Sequence, residues 1–342
     1  MKWITGDVHV HSHSCSDGTL PVEEIVRQSK KYCDFIAISG HATVRPDWGE
    51  QQYREIAAAR RIYPDMPIFH TAEQEFPIER HTMFLTIPNH REVELQQELI
   101  RRYHRLSGAI GIEKAVEELQ FVEQHWGTEC LMIFNHPGAP DVSFADFERL
   151  ARASKIFKII ACLDRGERRA RQTWDIGGEW DKLLLGGHRI FARCGSDFHA
   201  HFTAGGHDYW PGEFVQDHLR VENNTYSDII AAYRDGRFFC TVARIIENPV
   251  WEFATLPVPG STEHTLRLSF QTNLPLEQVE IIADARPVAT FRNITADFAF
   301  EGKLPAAGYY RVRGTGKMQK RPYQDGEFEP IFLLNPLFTL QG

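Results

Sequence analysis

His9 and His11, one residue apart in the opening stretch GDVHVHSHSCSDG, are the first residues in this chain that could do chemistry, and Asp17 follows them closely. On an extended segment alternate side chains point to the same side, so both imidazoles could reach one metal ion. Alone, the pair is more commonly the pattern of a half-exposed strand, and so short a motif decides nothing. Further along, every apolar run that reads as a strand hands over another residue of ligand type near its end. FIAISGHAT places His41, IFHTAEQEF places Glu73 and Glu75, RHTMFL opens with His81, MIFNHPG supplies His136, and FARCGSDFHA supplies Asp197 and His199. Histidine is the commonest protein ligand for transition metals. Scattered independently, these side chains would be a set of buried polar groups with nothing to satisfy them; gathered at one metal-binding mouth, they satisfy one another.

The elements that must position these residues alternate between strand and helix. The patterning predicts strands at Val8–Val10, Phe35–Ser39, Ile68–Ala72, Met83–Ile87, Cys130–Phe134, Ile156–Cys162, Ile190–Cys194 and Phe238–Val242. It predicts helices at Pro21–Cys33, near Gln51–Ile62, at Val93–Leu106, Glu113–His125 and Phe144–Ala151, one ending near Leu185, and Tyr226–Tyr233. This order implies an α/β fold with a parallel sheet and helical crossovers, closed or nearly closed into a barrel whose strand ends share one mouth. Beyond about residue 250 the texture changes to short alternating strands such as LRLSFQT, QVEIIAD and YYRVRGTG, separated by turn residues. The expected division is a barrel over 1–250 and a small C-terminal antiparallel β-sandwich over 255–342, with Pro257–Gly260 as linker and Ile246–Phe253 assignable to either side.

Composition excludes several classes. Of 342 residues 42% are hydrophobic and 25% charged, which is a globular balance. A formal net charge of −8, from 38 basic and 46 acidic residues, offers no basic field for a nucleic-acid backbone or an anionic membrane. The start MKWITGDVHVHSHS contains no apolar run of signal-peptide type, and no stretch approaches the roughly 20 apolar residues that span a bilayer, so a cytoplasmic protein is expected. Cys15, Cys33, Cys130, Cys162, Cys194 and Cys240 lack CxxC spacing and read as reduced thiols, Cys15 alone lying in a polar loop. Nothing in the pattern sets an oligomeric state.

Asp7-Val-His9-Val-His11 with Ser16-Asp17-Gly18, Gly40-His41, Glu73, Asn135-His136-Pro137-Gly138 and Gly195-Ser196-Asp197-Phe198-His199 together resemble the motifs of the polymerase and histidinol phosphatase (PHP) superfamily of metal-dependent phosphoesterases, in order, over about residues 5–200. Trp180-Asp181, Leu184, Gly187 and the Ala231–Gly236 stretch, with GYYRVRG and LLNPLF further on, look like the carbaryl-hydrolase-like branch of that superfamily. The resemblance implies a distorted seven-stranded TIM-like (β/α)7 barrel holding two or three divalent ions at its mouth. Carried over by position, His9, His11, Glu73 and Asp197 hold one metal, Glu73 bridges to a second held by His81 and His136, and Asp17, His41 and His199 hold a third. Mixed imidazole and carboxylate donors suit zinc, manganese or iron. Gly40 stands where relatives usually have Asp, which removes a carboxylate beside His41. Glu73 is the aligned bridging residue, while strand alternation leaves Glu75 open.

A cluster of this kind lowers the pKa of a bridging water and stabilises charge on phosphoryl oxygens, so the expected reaction is hydrolysis of a small phosphorylated metabolite or nucleotide, with Glu73, Asp197 and His199 as the catalytic residues. Asp7 reads as a partner orienting a ligand histidine or as a buried capping carboxylate. Arg45, Arg165, Arg168 and Arg169 are the candidates for phosphate recognition, each more commonly a solvated surface residue. His13 is a possible outer acid, His201 and His207 border the mouth, and His70 reads as a core residue. Two alternatives stand beside this reading. The same parts cleave a carboxyl or carbamate ester, and a metal-binding accessory module would keep the shape without the reaction. The partner in the leading reading is a small molecule, with no specific nucleic-acid binding and no membrane.

Overall fold

The computed structural model describes residues 1–44, 46–78, 81–104, 108, 110–135, 143–164 and 178–339. The chain opens with β1 (Lys2–Asp7), α1 (Val22–Ser29), β2 (Phe35–His41), α2 (Glu50–Ile62), β3 (Ile68–Glu75) and β4 (His81–Thr86). Then come α3 (Glu92–Tyr103), α4 (Ile112–Trp126), β5 (Cys130–Phe134), α5 (Phe144–Ala153), β6 (Phe157–Asp164), α6 (Glu179–Leu185) and β7 (Phe191–Gly195). After β8 (Val215–Val221), α7 (Tyr226–Arg234) and β9 (Phe238–Val242), the rest is strand: β10 (Ile246–Phe253), β11 (Glu263–Thr272), β12 (Leu276–Ala283), β13 (Arg286–Ile294), β14 (Phe298–Pro305), β15 (Tyr309–Gly316), the two-residue β16 (Gln319–Lys320) and β17 (Glu327–Phe328), and β18 (Ile331–Phe338). No helix among the described residues is long and apolar enough to cross a membrane.

Local sequence accounts for the helices. Val22, Ile25, Val26 and Ser29 of α1 are buried at helical spacing, while Glu23 and Glu24 occupy the first turn where the helix dipole favours them. Ser143 caps α5 by accepting from the Asp146 amide at 3.2 Å. The strands depart from the expected all-parallel order at two places. The connection from β3 to β4 is far too short for a helical crossover, so β4 runs antiparallel to both β3 and β5. The unexpected β8 inserts antiparallel between β1 and β9.

The expected distorted seven-stranded barrel, closed or nearly closed, is not the sheet order observed. Among the described residues thirteen strands make one open sheet in the order β13-β12-β15-β18-β9-β8-β1-β2-β3-β4-β5-β6-β7. The sheet curls nevertheless, because Ile4, Phe35, Phe69, Leu131, Phe191 and Leu219 bury into one interior core. The curl brings the β7 edge to β8 and β18, where side chains bridge it in place of a backbone ladder. Asn335 Oδ1 accepts from the Ala192 amide at 2.8 Å, Asn335 Nδ2 donates to the Ala192 carbonyl at 3.2 Å, and Asp217 Oδ1 accepts from the Cys194 amide at 3.1 Å. An edge strand's unpaired groups are thereby satisfied.

The C-terminal strands form two layers, one of them continuous with the main sheet. β18 pairs with β9, so β12, β13, β15 and β18 prolong the main sheet, while β10-β11-β14 form a second sheet packed over a shared core that includes Leu268, Phe270, Ile281, Val312 and Phe332. β10 pairs with β11, which assigns Ile246–Phe253 to the C-terminal side. A buried ion pair ties the two parts. Arg311 on β15 donates from Nε and Nη2 to Asp181 Oδ1 and Oδ2 of α6 at 2.9 and 2.8 Å, the Tyr309 hydroxyl donates to Asp181 Oδ1 at 2.7 Å, and the guanidinium lies 4.6 Å over the Trp180 ring.

Candidate metal centre

β1 ends at Asp7, and His9 and His11 lie just beyond it rather than on a strand at Val8–Val10. Asp7 ends the ladder by accepting from the His9 and Ser196 amides at 3.0 and 3.1 Å, and Ser39 Oγ accepts from the Val10 amide at 2.9 Å. The His11 amide then donates to the Phe198 carbonyl at 2.8 Å, and the Phe198 amide to the His9 carbonyl at 3.3 Å. The two ligand-bearing segments therefore hold each other, and the alternation that puts both imidazoles on one side survives.

Glu73, at the C-terminal end of β3, stands at the centre of what these segments enclose. Its Oε1 lies 3.0 Å from His9 Nε2 and 3.1 Å from His81 Nδ1, and its Oε2 lies 3.3 Å from His11 Nε2 and 3.4 Å from His41 Nδ1. Asp197 Oδ1 is 3.3 Å from both His9 Nε2 and His11 Nε2. Asp17 Oδ1 is 3.2 Å from His199 Nε2 and 3.5 Å from His41 Nε2. Three groups of donors result, each with its atoms within 4.8 Å of one another: His9, His11, Glu73 and Asp197; His41, Glu73 and His81; and His11, Asp17, His41 and His199. The first is buried throughout, whereas the Asp17 side chain in the third is 62% exposed.

These groups fit metal ions by their chemistry. His199 Nδ1 is hydrogen-bonded to the Asp197 carbonyl at 2.8 Å and His11 Nδ1 to Ser16 Oγ at 2.9 Å, so in both rings Nε2 is the nitrogen left for the centre. Burial, reinforced by the neighbouring His11, lowers the His199 ring below its ordinary range. Burial also pulls His41 down to about 4, although Glu73 works the other way. Both rings are then neutral donors near pH 7. Burial opposes charge on His11, yet its hydrogen bonds to the Asp197 and Glu73 carboxylates outweigh it and raise the ring, a sign of the positive charge these carboxylates call for. Asp17 is kept low despite partial burial by Ser16, His199 and His41.

Asp197 pays for its place with a left-handed backbone at φ 48°, at a cost on the order of 1 kcal/mol, which its short polar side chain tolerates better than most. Beneath the cluster, burial raises the Asp7 carboxyl and the buried Arg193, 3.5 Å away, opposes that rise. Arg193 donates from Nε to Asp217 Oδ2 at 2.7 Å, as does the Tyr233 hydroxyl. Asp7 thus holds backbone amides of both ligand segments.

Eight of the nine expected ligands meet here, and His136 lies outside the described residues, as do Arg45, Arg165, Arg168 and Arg169. Glu75 takes no part in the three groups; its amide donates to His104 Nδ1 at 3.3 Å. A side chain on Gly40 would push aside Gln52, because its Cβ would fall 2.4 Å from Gln52 Oε1, the oxygen that accepts from the Gly40 amide. His13 pairs with Glu55 at 3.2 Å, and His70 is buried between Trp48 and Tyr53. Sequence reasoning did not assign roles to Asn135, whose Nδ2 donates to Glu73 Oε1 at 3.0 Å, or to Asp208, whose Oδ2 accepts from the His199 and Ala200 amides at 2.7 and 3.2 Å. Asn135 carried a signal, a polar residue closing the wholly apolar run Cys130–Phe134; Asp208, in a Gly-rich loop, carried none.

No protein-family model matches the sequence, and no curated protein matches it. Solved structures do match. A two-domain protein from Bacteroides vulgatus, described as containing a predicted PHP-like metal-dependent phosphoesterase, superposes with a TM-score of 0.53 at 13% identity over 96% of this chain and 94% of its own. PsfC from Pseudomonas syringae gives a TM-score of 0.45 at 15% identity over 68% of this chain and 90% of its own. An Endonuclease Q complexed with a duplex carrying an abasic lesion gives 0.46 at 14% identity over 68% and 57%. The first likeness shows a shared fold.

Proposed function

We propose that this chain is a metal-dependent hydrolase of the PHP superfamily, a phosphoesterase that acts on a small phosphorylated metabolite or nucleotide. The observation that carries the reading is the position of Glu73, whose two oxygens lie within 3.4 Å of four imidazoles while Asp197 and Asp17 close the set. Divalent zinc, manganese or iron bound there would supply Lewis acidity toward an ester oxygen and lower the pKa of a water. His9, His11, Glu73 and Asp197 would hold one ion and His41, Glu73 and His81 a second. Asp17, His41 and His199, with His11 beside them, would hold a third.

What the chain itself contributes is orientation. Asn135 fixes Glu73 in rotation, Asp7 fixes the backbone beneath His9, and Ser16 joins His11 to Asp17 through its hydroxyl. The more exposed Asp17, His41 and His199 face the side from which a substrate must enter, whereas His9 and His11 are sealed off from it. We assign Glu73, Asp197 and His199 as the residues on which turnover depends.

Elemental analysis of protein purified without chelators, paired with a phosphatase and esterase screen on wild type and His9→Ala, tests the proposal. We expect two or three metals per chain and phosphate release that is lost in the variant. Ester cleavage without phosphate release moves the reaction to carbonyl carbon, and metal without any hydrolysis leaves an accessory module. A metal-free protein refutes the proposal.

A further inference from the structure

The loop that carries Asp197 and His199 is braced from outside by the C-terminal strands. Pro322 in the hairpin between β16 and β17 accepts from the Tyr209 hydroxyl at 3.0 Å, and the Tyr323 hydroxyl donates to Glu213 Oε1 at 2.7 Å. The other Glu213 oxygen is committed to the loop, 3.1 Å from His201 Nε2 and 2.9 Å from the Trp210 amide that donates to it. His201 Nδ1 accepts from the Thr203 amide at 3.1 Å, which makes Nε2 the protonated nitrogen and Glu213 its acceptor. A column of rings continues inward from this point. Tyr323 meets His201 edge-on at 5.2 Å, His201 stacks on Trp210 at 4.6 Å, and Trp210 stacks on Phe198 at 5.4 Å. Phe198 lies between Asp197 and His199 in the chain, and its backbone is bonded to those of His9 and His11.

Tyr323 itself is unusual. It is 56% exposed and adopts a left-handed backbone at φ 64°, a conformation that bulky side chains avoid at a cost on the order of 1 kcal/mol. That conformation turns the ring back onto the loop, where it also stacks on Phe202 at 5.8 Å.

We propose that the β16–β17 hairpin positions the Asp197 and His199 end of the metal centre, and that Tyr323 is the positioning residue through which it acts. The inference rests on the metal-centre reading above. Metal donors must be held to within about 0.2 Å, so freedom in the supporting loop is read directly as lost affinity. Partners that touch a ligand cost about 10- to 100-fold in affinity when removed; Tyr323 acts through His201, Trp210 and Phe198, further out, so a smaller loss of about threefold is expected.

The test is titration of chelator-stripped, full-length protein with cobalt(II) chloride, followed by its visible absorption band and by calorimetry. Wild type, Tyr323→Phe, Tyr323→Ala and Tyr309→Phe are compared. Tyr309→Phe loosens the C-terminal strands at a different attachment, through Asp181, without touching the loop. The expected result is a shifted band and weaker binding of the weakest cobalt equivalent in Tyr323→Ala, a smaller effect in the conservative Tyr323→Phe, and no change in Tyr309→Phe. An unchanged isotherm and band in both Tyr323 variants overturn the inference, as does equal weakening in Tyr309→Phe. A wild type that binds no cobalt overturns the metal reading itself.

Discussion

Replacing Arg311 with methionine removes one partner of an ion pair whose two side chains have no solvent exposure at all. Two charge-assisted hydrogen bonds to Asp181 are lost, each worth about 1.5–3 kcal/mol, together with a desolvated cation–π contact of about 2 kcal/mol over Trp180. Against this stands the relief of desolvating the guanidinium, which is several kcal/mol. What remains is dominated by the buried Asp181 carboxylate deprived of its countercharge, and breaking such pairs from one side costs about 3–5 kcal/mol. Tyr309 cannot make up the deficit, since its hydroxyl already donates to Asp181; burial first, and then that carboxylate, push it well above the ordinary phenol range. With a urea dependence of about 3 kcal/mol per M, the denaturation midpoint of Arg311→Met should fall by about 1 to 1.7 M. The triple variant Asp181→Leu, Arg311→Met, Tyr309→Phe removes these three polar side chains together and should recover most of that loss. A single variant within about 0.3 M of wild type, or a triple variant no better than the single, would refute the reasoning.

His70 and His218 are buried neutral, each held down to about 3 by burial, with Arg60 and Arg244 respectively adding to it. The unfolded chain takes up their protons from about pH 6.5 downward while the folded chain does not, so their contribution is nil above that value and stability is lost as pH falls from 6.5 toward 3. By pH 5 the loss is about 2 kcal/mol per histidine, read as the difference in urea midpoints between pH 7.5 and pH 5 on metal-free protein; His70→Leu and His218→Gln should each flatten it, and an equal slope in the variants contradicts the assignment. Gly206→Ala would set a Cβ 2.0 Å from the Ala200 carbonyl oxygen, which is backbone and cannot swing aside. The loop after His199 must then shift, so cobalt stoichiometry should drop along with the urea midpoint, and full stoichiometry at wild-type affinity would show that the loop accommodates the methyl group.

The elements most legible in the sequence were those with purely apolar runs: β5 and β9 begin and end where the pattern places them. The positions of His41, Glu73, His81, Asp197 and His199 at one end of the sheet follow from their places at strand ends, and even the reversal of β4 keeps His81 at that end, because the ligand sits at its start. β8 was hidden by its own function. Gln216, Asp217 and His218 interrupt its apolar pattern, yet all three are buried, Asp217 beneath Arg193 and His218 against Thr241. The continuation of the sheet through β18 and β9 has no local signature, since a pairing between strands so distant in sequence is decided by tertiary contact alone. The pairing of Asp181 with Tyr309 and Arg311 has no local signature either, although both stretches stood out by resemblance and Tyr309 and Arg311 read as strand residues packing on a domain interface.

The pairing of β9 with β18 also bears on how the protein is made. A chain synthesised from its N-terminus can assemble β1–β9 and the site they carry early, since within the main sheet their strand partners other than β18 all precede β10. One flank of β9 must nevertheless stay bare until β10–β17 have been synthesised and β18 arrives to cover it. During that interval the nascent protein exposes a strand edge of Phe238–Val242, a run of β-prone residues without a charge or proline to deter pairing with a neighbour on the same messenger. The speed with which the last strand arrives, more than the stability of the finished sheet, would then decide whether a ribosome yields a soluble molecule or a clump.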